Sequence, residues 1–195
     1  MITSRIQAIV LSSAVLLTPV FAQTTTNNGS GGNSMTGTAK DKKFLMTAAQ
    51  GGLAEIQLGQ LATQKSNNDQ VKQFGQQMVT DHTQLNAEMK PIAESMGVQV
   101  PTSPSPKDQA EATKLSALSG DAFDKAYIAY MVKDHEKDVR EFKAESASTQ
   151  NQTLKAAVDK GLTVIEGHLQ MADNLAKSNG VKTGQSNHST SPAAE

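Results

Sequence analysis

Cysteine and tryptophan are both missing from this chain of 195 residues, and aromatic side chains make up only 4% of it. Without thiols there are no disulfides, no thiolate metal sites and no cysteine nucleophile. Stability must come instead from packed aliphatic side chains. Charge of either sign is scarce in excess, with a formal net of −1, which gives no electrostatic footing for nucleic acid or an anionic membrane. Neither a glycine-rich phosphate loop nor a Gly-x-Ser-x-Gly elbow is present, and no spacing of Ser, His and Asp singles out a nucleophile. The chain is therefore read as non-catalytic. No apolar run reaches the roughly 18 residues of a membrane-spanning helix, so no transmembrane segment is expected. Strand-like alternation is absent too.

The first residues do carry an export pattern. Arg5 precedes a mostly apolar run from Ile6 to Leu17, followed by Pro19 and then Val20-Phe21-Ala22. A weakly basic start, a short apolar stretch and small residues before a cut read as a signal peptide over 1–22. No cysteine follows Ala22 to carry a lipid anchor. The expected location is outside the cytoplasm, periplasmic or secreted, with outer-membrane association and an envelope protein partner as further expectations. Residues 23–40 and 178–195 hold too little apolar surface to order themselves and are read as a disordered linker and tail. His188 lies in that tail. Residues 41–177 form one domain of ordinary size.

Helical punctuation divides this domain. Asp41 is the expected cap of a first long helix, to about Lys65. Ser66, with Asp69 three residues on, opens a second that ends near Gly97 and should kink at Pro91. Pro101, Pro104 and Pro106 mark a loop, with a short helix from Ser105 to about Leu118. Asp121 then caps a third long helix to about Ala147, and Thr149 with Gln152 opens a fourth, to about Lys177. Apolar residues recur at steps of three and four. Met78, His82, Leu85 and Met89 share one face, as do Met131, His135, Asp138 and Phe142. Four such stripes predict an all-α four-helix bundle. Ala48, Gly51 and Gly52 are small enough to allow close helix approach.

Each stripe carries one residue that is costly to bury unpaired: Glu55, His82, His135 and His168. Two of these end a repeated phrase, Met78-Val79-Thr80-Asp81-His82 and Met131-Val132-Lys133-Asp134-His135. At a 1.5 Å rise, an up-down-up-down bundle scatters the four to depths of about 15, 24, 18 and 28 Å. A long crossover over residues 98–120, carrying the short helix, would make the second and third long helices parallel. The depths then become about 15, 24, 21 and 14 Å, and the two phrases lie side by side. The crossover is preferred because it gathers the polar residues.

That topology is ferritin-like, and the matching phrases identify a resemblance. Gly51-Gly52-Leu53-Ala54-Glu55-Ile56-Gln57-Leu58-Gly59, Val71-Lys72-Gln73-Phe74, the two Asp-His phrases and His168-Leu169-Gln170-Met171-Ala172 resemble the bacterial exported family known as domain of unknown function 4142. The resemblance implies a ferritin-like bundle in the cell envelope and no established activity. Ferritin-like di-iron proteins place Glu on two helices and Glu-x-x-His on the other two. Here Val79, Val132 and Ile165 stand where those glutamates would be, so a ferroxidase loses its support.

Two readings stay open. In one, a non-catalytic, envelope or stress-related bundle buries a hydrogen-bonded Glu/His network, Glu55 accepting from His168 while His82 meets His135. In the other, Glu55, His82, His135 and His168 hold a single zinc, iron or copper ion. Met78, Met131 and Met171 lie near the histidines, which suits Cu(I), although methionine is also a flexible core filler. Asp81 and Asp134 are candidates to orient an imidazole from behind, or to pair with nearby lysines at the boundary.

Overall fold

The computed structural model describes residues 37–183. The expected signal peptide, most of the linker and most of the tail, with His188, lie outside the described residues; Ala39, Lys40 and Ser178, expected in linker and tail, belong to helices. Five helices follow one another: α1 (Ala39–Lys65), α2 (Asp69–Ser95), α3 (Pro106–Ser116), α4 (Gly120–Ser148) and α5 (Gln152–Ser178). Their starts differ from expectation by a few residues. Thr38 caps α1, its hydroxyl accepting from the Asp41 N–H at 3.1 Å while the Asp41 carboxylate accepts from the Thr38 N–H at 2.8 Å. Asp41 is thus the third-residue member of a capping box rather than the cap itself. Asn68 and Asn151 cap α2 and α5, and Ser66 and Thr149 instead close the helices before them. Ser119 stands at the cap of α4, where Asp121 was expected. Ser105 and Pro106 open α3 as anticipated, and α2 continues through Pro91.

Gly97 and Gly180 sit in the left-handed region, with φ of 72° and 63°. Beyond them, the Val98 and Val181 N–H groups donate back to the Ala93 and Ala176 carbonyls at 2.9 Å. Each glycine thereby ends its helix where a side chain would be strained.

Two apolar clusters fix the topology. The end of α1 (Leu58, Ala62), the start of α2 (Val71, Phe74), the start of α4 (Phe123, Tyr127) and the end of α5 (Ala172, Leu175) pack together, with Leu115 of α3. At the other end Leu45, Met89, Phe142, Leu154 and Val158 form the second cluster. The starts of α2 and α4 therefore share an end, and the two helices are parallel. The connection between them returns along the bundle, with α3 packed on α1 and α4. This is the expected ferritin-like crossover. One detail differs: α2 packs on α1 and α5, and α4 on α5 and α1, so the repeated phrases face each other diagonally across the core, not side by side.

The closest helix approach lies elsewhere than expected. A Cβ at Gly51 would meet nothing within 4 Å, and one at Gly52 would meet the Asn86 side chain. A Cβ at Gly59 would fall 2.5 Å from the Gly75 carbonyl oxygen, and one at Gly75 would fall 2.7 Å from that of Gly59. Backbone cannot swing aside as a side chain can, so Gly75→Ala should destabilise by about 1–3 kcal/mol. Gly167, with open space around it in α5, should give the opposite result. Gly167→Ala removes backbone freedom from the unfolded chain and should stabilise by about 0.5–1 kcal/mol. Denaturant melts of the two variants check both signs.

Candidate metal centre

Between the two apolar clusters lies a polar layer with one residue from each long helix. Glu55 (α1), His82 (α2), His135 (α4) and His168 (α5) are all at most 3% exposed. The repeating heptad that packs leucines and methionines above and below places these four inward as well. The imidazole rings touch, with centroids 6.0 Å apart for His82 and His135, 5.1 Å for His82 and His168, and 5.4 Å for His135 and His168.

Each ring has one nitrogen committed outward. His82 Nδ1 is 3.0 Å from Glu55 Oε2. His168 Nε2 donates to Asp81 Oδ2 at 2.7 Å. His135 Nδ1 donates to the Met131 carbonyl at 2.9 Å; a carbonyl can only accept, so this contact fixes the tautomer. What remains is one nitrogen per ring. His82 Nε2, His135 Nε2 and His168 Nδ1 are buried with no hydrogen-bond partner, as is Glu55 Oε1. The three rings bring nitrogens within 4.8 Å of one another, and His135 Nε2 lies 3.3 Å from Glu55 Oε1.

Burial sets the charge states. It pushes His82 and His168 down to about 4 and His135 down as well, so the rings are neutral and their leftover nitrogens carry lone pairs. Burial also pushes Glu55 up to about 8, His135 pulling against it and Asp138 adding to it. For Asp81 burial acts upward too, but hydrogen bonds from Gln77 and His168 outweigh it and hold the carboxylate below its ordinary range.

The sequence-derived residues divide. The four core residues converge, and Asp81 holds His168 from behind. Asp134 does not orient an imidazole; its carboxylate groups with those of Glu55 and Asp138. Glu55 faces His82 and His135 rather than His168. Met78 and Met131 are core members, and Met171 is 37% exposed. Met131 contributes its carbonyl to the site. Asp138 stands on the core stripe of α4, and that placement was the signal that it belonged to the site. A cavity of about 210 Å³ opens beside this layer, lined among others by Glu55, His82, Asp134, Asp138 and the start of α3.

Residues 26–175 match the family described as domain of unknown function (DUF4142). The chain belongs to that family. No curated protein matches it in sequence. Among solved structures, it is similar to a chain described as secreted protein DUF305 from Streptomyces coelicolor. The two are 15% identical with a TM-score of 0.65, over 76% of this chain and 98% of that one. At that identity the likeness is one of fold. Among the described residues of this DUF4142 chain, no helix is long and apolar enough to cross a membrane.

The charge states predict how metal-free stability depends on pH. Between pH 6.5 and 8, Glu55 and Asp134, both raised by burial to about 8, keep protons in the folded state that the unfolded chain has released. The folded state then binds more protons, so stability falls as pH rises through this window. Below pH 6.5 the unfolded histidines take up protons that His82 and His168 refuse until about 4, which opposes folding on acidification. Chelated protein should therefore lose denaturant resistance from pH 6.5 to 8. A rise over that window would contradict the assigned protonation states.

Proposed function

We propose that this DUF4142 chain is an exported, non-catalytic envelope protein whose bundle binds one transition-metal ion through His82 Nε2, His135 Nε2 and His168 Nδ1, with Glu55 holding His82 from behind. The observation that carries this reading is the set of three buried imidazole nitrogens left over after every outward contact is made. A purely hydrogen-bonded network would use them. Left unsatisfied, each buried polar group costs about 1–3 kcal/mol. A cation accepts all three lone pairs at once.

The outward contacts support the same reading. Metal-binding histidines characteristically donate their other N–H to a carboxylate or a carbonyl, which fixes tautomer and ring orientation. Glu55, Asp81 and the Met131 carbonyl stand in those positions. Three imidazoles with an open fourth position suit zinc first, then iron or copper(II). The exposure of Met171 removes a thioether that a copper(I) site would use. The export pattern at the N-terminus, and a fold neighbour described as secreted, support the envelope location.

The test is a thermal melt of chelated full-length protein with and without Zn²⁺, Fe²⁺ or Cu²⁺. An ion at a hundredfold excess over Kd stabilises the folded state by about 2.7 kcal/mol, which raises Tm by roughly 5–10 °C for a domain of this size. His135→Ala should abolish the rise, and Gln170→Ala, on the exposed side of α5, should leave it intact. If no ion shifts the melt while His135→Ala still destabilises, the layer is a metal-free structural network.

A further inference from the structure

Glu55 belongs to two clusters at once. On one side are the imidazoles, and on the other its carboxylate lies within 4.8 Å of those of Asp134 and Asp138. We infer that the domain holds a second, unlike cation beside the first, a hard divalent ion bound by Glu55, Asp134 and Asp138, with Glu55 shared between the two sites. The sharing rests on the metal-binding reading above; the carboxylate site itself does not.

Asp134 and Asp138 are four residues apart in α4 and so project from one face, and Glu55 reaches them from α1. Acidic groups gather on many surfaces without consequence, but here Glu55 and Asp138 are buried and Asp134 is half-buried. The Glu55 side chain is 2% exposed and its Oε1 has no hydrogen-bond partner. Its neighbours are only partly neutralised by protein cations. Lys137 Nζ sits 2.9 Å from Asp138 Oδ1 and 3.3 Å from Glu141 Oε2. Among the described residues, no lysine or arginine comes within ion-pair distance of Glu55 or Asp134. Three converging carboxyl groups with one lysine between them require either shared protons or a cation.

The donor chemistry separates the two sites. Nitrogen-rich sets favour zinc and its neighbours, and all-oxygen sets favour magnesium, calcium or manganese. Such hard ions also keep several waters. The adjoining cavity, about 210 Å³ and lined by Glu55, Asp134, Asp138 and Asp108 together with Lys107 and Lys137, has room for several. The imidazole side needs room for a single water, since three ring nitrogens fill the other corners of a tetrahedron.

The experiment loads chelated full-length protein with one equivalent of Co²⁺, followed by its visible absorption, and then titrates Mn²⁺, followed by electron paramagnetic resonance. Two ions per chain are expected, the cobalt with the intense bands of a tetrahedral nitrogen-rich site and the manganese immobilised. Asp134→Asn and Asp138→Asn should each weaken Mn²⁺ at least about tenfold and leave the cobalt bands in place. His135→Ala should lose the bands and keep Mn²⁺. Tetrahedral cobalt without bound Mn²⁺ overturns the second site and spares the first. Bound Mn²⁺ without tetrahedral cobalt supports the carboxylate site and removes the imidazole one. Mn²⁺ affinity unchanged in both Asn variants overturns the inference. Should those variants fail to fold, the wild-type ion count decides, since a single ion after both loadings refutes it.

Discussion

Neutral imidazoles sealed away from water constrain everything else in this bundle. Three of them sit in one layer, and each needs an acceptor for its N–H and a partner for its lone pair. The N–H groups are satisfied by Glu55, Asp81 and the Met131 carbonyl, and each of these fixes a rotation of one helix about its axis. The apolar clusters on either side shield the rings from bulk water and keep them uncharged. The core is thus two hydrophobic plugs with a polar disc between them, and the disc sets the register that the plugs alone would leave loose.

Much of this was legible in the chain before any coordinates. The steps of three and four placed the stripes, and the prolines and glycine around residues 97–120 marked the long connection. Depth arithmetic on four residues then distinguished the crossover from the simpler topology. Helix caps were less legible because several capable residues stand together: Ser66, Asn67, Asn68 and Asp69 can all cap, and only packing chooses Asn68. Partner choice within the site was also hidden. A stripe says that a residue points inward but not which neighbour it meets, and diagonal α2 and α4 bring Glu55 to His82 and His135 instead of to His168.

The repeated Asp-His phrase shows how context overrides likeness. In α2 the aspartate turns toward α5 and steadies His168. In α4 the aspartate looks toward α1 and joins Glu55 and Asp138, while the histidine leans on its own helix through the Met131 carbonyl. Identical spacing yields different contacts because the neighbours across the seam differ. Membership of the DUF4142 family and the DUF305-like architecture fix the scaffold and leave the chemistry to these side chains.

The connection from α2 to α4 has a consequence for the order of folding. α1 with α2, and α4 with α5, are hairpins closed by three-residue links, whose local contacts form fast. Joining the hairpins is the slow, non-local step. Glu55 and His82 belong to one hairpin, and His135 and His168 to the other, so neither half holds a complete ligand set. The polar layer exists only once the halves have docked. An ion bound there, as proposed, would lend its affinity to that last event, so that bundle assembly, rather than helix formation, would be the step that answers to metal supply.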